Sequence, residues 1–181
     1  MTDSLVGRLL MATPSLLDPN FYRTAVLMIE HDEEGSLGVV LNRPLDIPVA
    51  DYLDDWETLV VEPPVVFAGG PVQQEVALAV GRGPQSEGDI SALIIGDIQL
   101  IDLDLDPAAV PFEQIRVFSG YAAWGPGQLE AELEEEAWWI VECDQEDPFT
   151  ADPQALWSTI LKRQGGRLAL FATLPDDPGL N

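Results

Sequence analysis

Short runs of branched and aromatic apolar residues, each stopped by glycine, proline or an acidic cluster, constrain this chain more than any other feature. Runs of that length suit β-strands, because a helix needs a longer amphipathic stretch. Residues 26–29 and 37–41 are two such runs, and they flank His31-Asp32-Glu33-Glu34-Gly35, a polar loop with a glycine for the turn. That pattern predicts a β-hairpin. Asn42-Arg43-Pro44 stops its second strand, since proline cannot donate to a sheet ladder. Residues 65–67 run into the turn Gly69-Gly70-Pro71, and residues 76–80 follow as another strand. Across 93–105 the spacing predicts further strands, with Asp102, Asp104 and Asp106 alternating against Ile101, Leu103 and Leu105 on a solvated face. Residues 115–118, ended by Gly120, then 138–141 and a closing 168–171, complete the set.

Helical spacing is rarer. Val49, Tyr52, Leu53 and Trp56 recur at i, i+3, i+4 and i+7 behind Pro48, which predicts an amphipathic helix. A second helix is expected over 128–136, with Leu129 and Leu133 on one side. A third has Asp152 as its cap, Pro153 in its first turn and Leu156, Ile160 and Leu161 facing the core. Lys162-Arg163 and then Gly165 end it. Strands dominate and helices are not inserted regularly between them, so the expected class is α+β and not a doubly wound parallel sheet. No linker or internal repeat divides the chain, and its 181 residues suit one domain spanning 1–181.

Charge narrows the partners. Eight Lys and Arg against 32 Asp and Glu give a formal net charge of −24, and the cations form no basic run. Duplex DNA and anionic membranes repel such a surface, so neither is an expected partner. Cys143 is the only cysteine, which excludes an intrachain disulfide and a thiolate metal cage. No signal peptide or membrane span is evident, so the cytoplasm is the expected compartment. Neither GxGxxG nor GxxxxGK[ST] occurs, and no cofactor is expected.

Four blocks resemble one family. They are Gly7-Arg8-Leu9-Leu10-Met11-Ala12-Thr13-Pro14 leading to Leu17-Asp18-Pro19-Asn20-Phe21; Glu30-His31 through Gly38-Val39-Val40-Leu41-Asn42-Arg43-Pro44; Gly69-Gly70-Pro71-Val72; and Gly120-Tyr121-Ala122-Ala123-Trp124-Gly125-Pro126-Gly127-Gln128-Leu129-Glu130. In this order they resemble the AlgH/YqgE family of bacterial proteins, which has related stretches in plants. The tail, residues 175–181, also looks like that of some members. The resemblance implies a bent mixed sheet approaching a pseudo-barrel, with flanking helices. It implies little about function, because the family's transcriptional-regulator label has no recognised DNA-binding motif behind it. The chain departs from the family pattern after Gly70. Gln73-Gln74-Glu75-Val76-Ala77-Leu78-Ala79-Val80 stands where many relatives carry a basic residue and a histidine in the next strand, so a mechanism needing a second histidine has no candidate here.

The residues that carry chemistry are few. His31, the only histidine, lies among Glu30, Asp32, Glu33 and Glu34; it is either a general base or carboxylate-backed metal ligand, or a hairpin residue capping its loop. Ser119 and Tyr121 flank Gly120, but the pattern is not GxSxG and only His31 could serve as base. Gly125-Pro126-Gly127 before a helix is either an anion-binding turn or a structural one. The acidic run Glu132, Glu134, Glu135, Glu136 is expected to be a solvated face, and Cys143 a small buried hydrophobe. The favoured function is a non-catalytic cytoplasmic binding or regulatory module for a small molecule or protein. Its expected surface spans 121–130, where Tyr121, Trp124, Gln128 and Glu130 cluster, with Asn42, Arg43, Gly69 and Gly70 as neighbours. The alternative is a cryptic hydrolase or transferase using His31 with Arg43 or Tyr121.

Overall fold

A computed structural model describes residues 3–84, 91–109 and 112–174. Ten strands run in chain order: β1 (Arg8–Ala12), β2 (Ala25–Asp32), β3 (Gly35–Val40), β4 (Pro44–Pro48), β5 (Val65–Ala68), β6 (Val72–Arg82), β7 (Ser91–Ile95), β8 (Ile98–Ile101), β9 (Gln114–Trp124) and β10 (Trp138–Glu142). Three short helices follow late: α1 (Gln128–Glu134), α2 (Leu156–Gln164) and α3 (Gly166–Phe171). The main path is β10-β1-β2-β3-β9-β6-β8-β7, antiparallel throughout, with β5 joining β9 in parallel and carrying β4. The sheet curls into a half-barrel, the bent mixed sheet that the resemblance implies.

Three clusters of buried side chains explain why the strands read as unbroken apolar runs and not as alternating ones. Leu9, Met11, Leu27, Val39 and Phe118 face the concave side, where Leu156, Trp157, Ile160 and Leu161 of α2 plug the half-barrel. Their neighbours Leu10, Val26, Met28 and Val40 face outward, under Trp124, Trp138 and Leu129 of α1. Strands covered on both faces need apolar residues at successive positions. A third cluster of Val49, Trp56, Ala79, Ile115 and Val117 covers the other end of the sheet.

The longest departure from expectation is β9. Gly120 does not end the strand; β9 continues to Trp124, pairing with β6 over Gln114 to Tyr121, with a register shift at the glycine, and with β3 over Ala122 to Trp124. Gly120 adopts φ +73, and the alternation shifts there: Phe118 and Tyr121 both face the concave core. Only glycine takes that backbone conformation without strain. The chain at Gly70 crosses beside it so closely that a Cβ on Gly70 would lie 2.2 Å from the Tyr121 carbonyl carbon. Both glycines are therefore needed where β9 kinks within the sheet and changes partners.

Other elements differ for local reasons. Residues 49–56 form two 3₁₀ turns, Val49–Asp51 and Asp54–Leu59, interrupted at Leu53, whose φ and ψ of −135 and 58 are not helical. Only the ends of the predicted stripe are buried, while Tyr52 is 76% exposed. Asp102 and Asp106 are not on a strand but in turns, their carboxylates accepting from the amides of Asp104 and Ala108. Asp152 makes no side-chain cap. Residues 168–171 are helical, not a strand, with Leu168 and Phe171 one turn apart against the core. The run is too short for its period to be read from sequence. The tail, 175–181, lies outside the described residues.

Arg116 is fully buried on β9, and its sequence neighbours did not mark it. Its guanidinium donates to the carbonyls of Glu62 at 2.6 Å and Thr150 at 2.7 Å, and stands 4.3 Å over the Phe67 ring. Burial pulls its pKa down to about 10. Backbone carbonyls and a ring face replace the lost water, tying two loops to the central strand.

Candidate functional site

His31 lies within β2, opposite Ser36 and just beyond a bulge between Met28 and Glu30. Its side chain is 4% exposed. Nδ1 accepts the Leu5 amide at 3.0 Å, and Nε2 lies 3.0 Å from Glu130 Oε1. With Nδ1 an acceptor, Nε2 carries the proton and donates to the carboxylate. That hydrogen bond, first among the causes, holds the Glu130 carboxyl below its ordinary value. The imidazole thus joins the N-terminal segment, the hairpin and α1, and it recruits a carboxylate far away in sequence in place of its four acidic neighbours. Among the described residues no group of three His, Cys, Asp or Glu could hold a metal ion.

The 121–130 block divides between two faces. Tyr121 packs against the concave core, whereas Trp124 points to the outer cluster, where it is 4% exposed. Trp124 stacks on Phe21 with centroids 6.3 Å apart and meets Trp138 edge-on at 6.0 Å. Gln128 is exposed, and its Oε1 accepts the Gly125 amide at 3.0 Å, closing the turn that an anion would otherwise enter. Glu134, Glu135 and Glu136 are solvated, but Glu132 is half-buried. Burial pushes the Glu132 carboxyl above its ordinary value, while the indoles of Trp124 and Trp138, which it faces, pull the other way. Cys143, half-buried beside Trp139 and Val141 on the concave side, has its thiol pushed up to about 12, chiefly by burial. That is not the setting of a reactive thiolate.

Asn42 and Arg43 sit beyond the other end of the hairpin. Asn42 is buried and structural, donating to the Arg23 carbonyl at 2.8 Å and accepting the Ala25 amide at 3.1 Å. Gly69 donates its amide to the Ser119 carbonyl at 2.9 Å and, with Gly70, belongs to the strand crossing. The Ser119 hydroxyl donates to the Gln74 carbonyl. Arg43 is different. Its guanidinium donates to the carbonyls of Pro19 at 3.3 Å and Tyr22 at 2.6 Å, and no carboxylate among the described residues pairs with it. Desolvation lowers its pKa. It opens on a cleft of about 230 Å³, with Asn20, Val40, Leu45, Pro71 and Gln74 in the walls.

His31 and Arg43 therefore do not meet. Ser36, opposite His31, is seven residues from Arg43, which at about 3.3 Å per residue sets them roughly 20 Å apart along the hairpin. Tyr121, Gln128 and Glu130 do not line the Arg43 cleft; Gly70 does. Sequence reasoning missed Asn20, Leu45 and Gln74. A signal existed for the first of these, because three of the four family-like blocks, 17–21, 38–44 and 69–72, each contribute to this cleft. A second, larger cavity of about 450 Å³ lies between Thr13, Ser15, Glu135, Trp139, Arg167 and Phe171. Among the described residues no helix is long and apolar enough to cross a membrane.

A family model described as AlgH-like (DUF179) matches residues 9–169. A UPF0301 protein from Streptomyces coelicolor is 52% identical over 185 residues, covering 98% of this chain and 96% of the relative. One from Thermobifida fusca is 45% identical over 190 residues, with coverage of 98% and 96%. The crystal structure of a Corynebacterium diphtheriae protein superposes with a TM-score of 0.89 at 28% identity, covering 96% and 94% of the two chains. The solution structure of the AlgH protein from Pseudomonas aeruginosa gives 0.72 at 29%, covering 97% and 96%.

Proposed function

The chain belongs to the AlgH-like family, and from that premise we propose that it is a non-catalytic cytoplasmic binding or regulatory module whose ligand site is the Arg43 cleft. One observation carries the reading: in a chain of net charge −24, a half-buried arginine stands without a carboxylate partner among the described residues and opens on a cavity. A cation left so in an acidic protein is a site for an incoming group. The groups that catalysis would need are engaged elsewhere. Both nitrogens of His31 have internal partners, and the Ser119 hydroxyl is bonded to Gln74. Trp124, Gln128 and Glu130 likewise have partners within the fold, which favours a scaffold role for 121–130 over a binding one. The acidic surface argues against duplex DNA as the partner.

A thermal-shift screen of small metabolites against the native protein and a Leu45→Trp variant tests this. Leu45→Trp places an indole in the wall of the cleft and keeps the Arg43 side chain. A ligand at a hundred times its Kd stabilises by about 2.7 kcal/mol, so binders should raise the melting temperature of the native protein and not of the variant. Binders that act equally on both proteins, or none at all, would defeat the proposal.

A further inference from the structure

The Arg43 cleft also carries a statement about what it selects, resting on the reading just given. We infer that it takes small monocarboxylates with a short apolar body and discriminates against anions of higher charge.

The donor geometry comes first. Nη1 and Nη2 of Arg43 are each anchored to a backbone carbonyl, Pro19 and Tyr22, so the guanidinium plane is held. Two of its roughly five N–H bonds are engaged there, leaving a fork of the kind that meets a carboxylate.

Charge limits the ligand as well. Among the described residues Arg43 is the sole charged one lining the cleft. One cation compensates one negative charge. A second negative charge on the ligand meets no further cation and lies in the field of a chain carrying −24. Sites built for phosphate esters gather several donors, from lysine and arginine clusters, backbone nests or helix N-termini. This cleft has one guanidinium and two side-chain amides, Asn20 and Gln74.

The walls and size set the rest. Val40, Leu45, Ala68 and Pro71 are apolar and suit an aliphatic body, while the two amides can take a hydroxyl or carbonyl upon it. A volume of about 230 Å³ is below the ~300–1,000 Å³ typical of drug-sized ligands. The ligand is therefore short.

Titration of the isotope-labelled protein with butyrate, butyramide, succinate and inorganic phosphate, followed by amide shifts of Asn20, Gly70 and Gln74, decides it. Butyrate should give saturable shifts at these positions, with butyramide, succinate and phosphate each weaker by about tenfold or more. Leu45→Trp should abolish the butyrate response while leaving the melting temperature close to native, and Arg43→Gln should abolish it too. Equal or tighter binding of succinate or phosphate would overturn the charge selectivity and leave the cleft as the site. Equal binding of butyramide would remove the role of the guanidinium charge. No saturable shift from any probe overturns the inference; the broader reading then stands only if the metabolite screen still yields a ligand that Leu45→Trp blocks, and otherwise both fall.

Discussion

The two ends of the β2–β3 hairpin differ in how their polar groups are matched. At the turn end, His31 and Glu130 pair across 99 residues, Trp124 meets Trp138, and Gln128 closes its own turn on the Gly125 amide. At the other end, Arg43 donates to two carbonyls, pairs with no carboxylate among the described residues, and faces a cavity. Density of chemistry in the sequence is thus a poor guide to where a ligand goes. A motif rich in His, Trp, Gln and Gly is what a tightly matched junction needs, whereas a binding site shows itself by a group that folding left unmatched.

The largest expected effect falls at the matched end. Trp124→Ala should cost about 3–5 kcal/mol, as truncation of a large core aromatic does, because it removes ring contacts with both Phe21 and Trp138. Urea denaturation measures it. A loss below about 1 kcal/mol, typical of surface positions, would mean that Trp124 is a movable wall and that this end is not the closed junction described. His31→Ala comes next. It strands the Leu5 amide, and an orphaned buried polar group costs about 1–3 kcal/mol, while the Glu130 carboxylate, 38% exposed, returns to water. The folded variant should bind cleft ligands as the native protein does; loss of that binding would join the two ends.

How much of this was legible depended on range. The hairpin could be read because its signals, the runs 26–29 and 37–41 and the loop between, are adjacent in the chain. The passage of β9 through Gly120 could not, since it depends on β6 and β3 offering partners in succession along it. The same holds for the site. Arg43 and Gly70 were singled out, but Asn20 and Gln74 reach them only through the fold, and nothing local marks Arg116 as buried. The pairing of His31 with Glu130 likewise needed α1 to be laid against β2, whereas the acids beside His31 in sequence suggested a different partner.

Acid sharpens the contrast within the matched end. Glu130 is held below its ordinary value of 4.5 by His31, so its contribution to stability is present above 4.5 and is lost as pH falls through the lower folded value. Glu132 is displaced upward by burial, so its contribution is present below 4.5 and is lost as pH rises through the higher folded value. Melting temperatures across that range should separate them. Glu130→Gln should weaken the loss of stability toward acid, and Glu132→Gln should weaken the loss toward neutrality. Identical profiles for the two variants would show that the His31 bond and the burial of Glu132 do not set these carboxylates apart.

The smallest expected effect is at Gln128, and it discriminates most directly between the two ends as the seat of function. Gln128 is exposed, and its one protein contact closes the turn on the Gly125 amide. An intramolecular hydrogen bond in reach of water is worth about 0.5–1.5 kcal/mol at most, because water replaces it when it is lost. Gln128→Ala should therefore lower stability by no more than about 1 kcal/mol. Tyr121→Phe should behave alike, since the ring stays packed against the concave core. If function resides in the Arg43 cleft, both variants should respond to its ligands and complement a deletion strain as the native protein does, while Leu45→Trp should not. If 121–130 is itself the binding surface, the pattern inverts: Gln128→Ala and Tyr121→Phe fold normally yet fail to complement, and Leu45→Trp succeeds. The two outcomes are opposite in sign for proteins of nearly equal stability, so a folding defect cannot mimic either one.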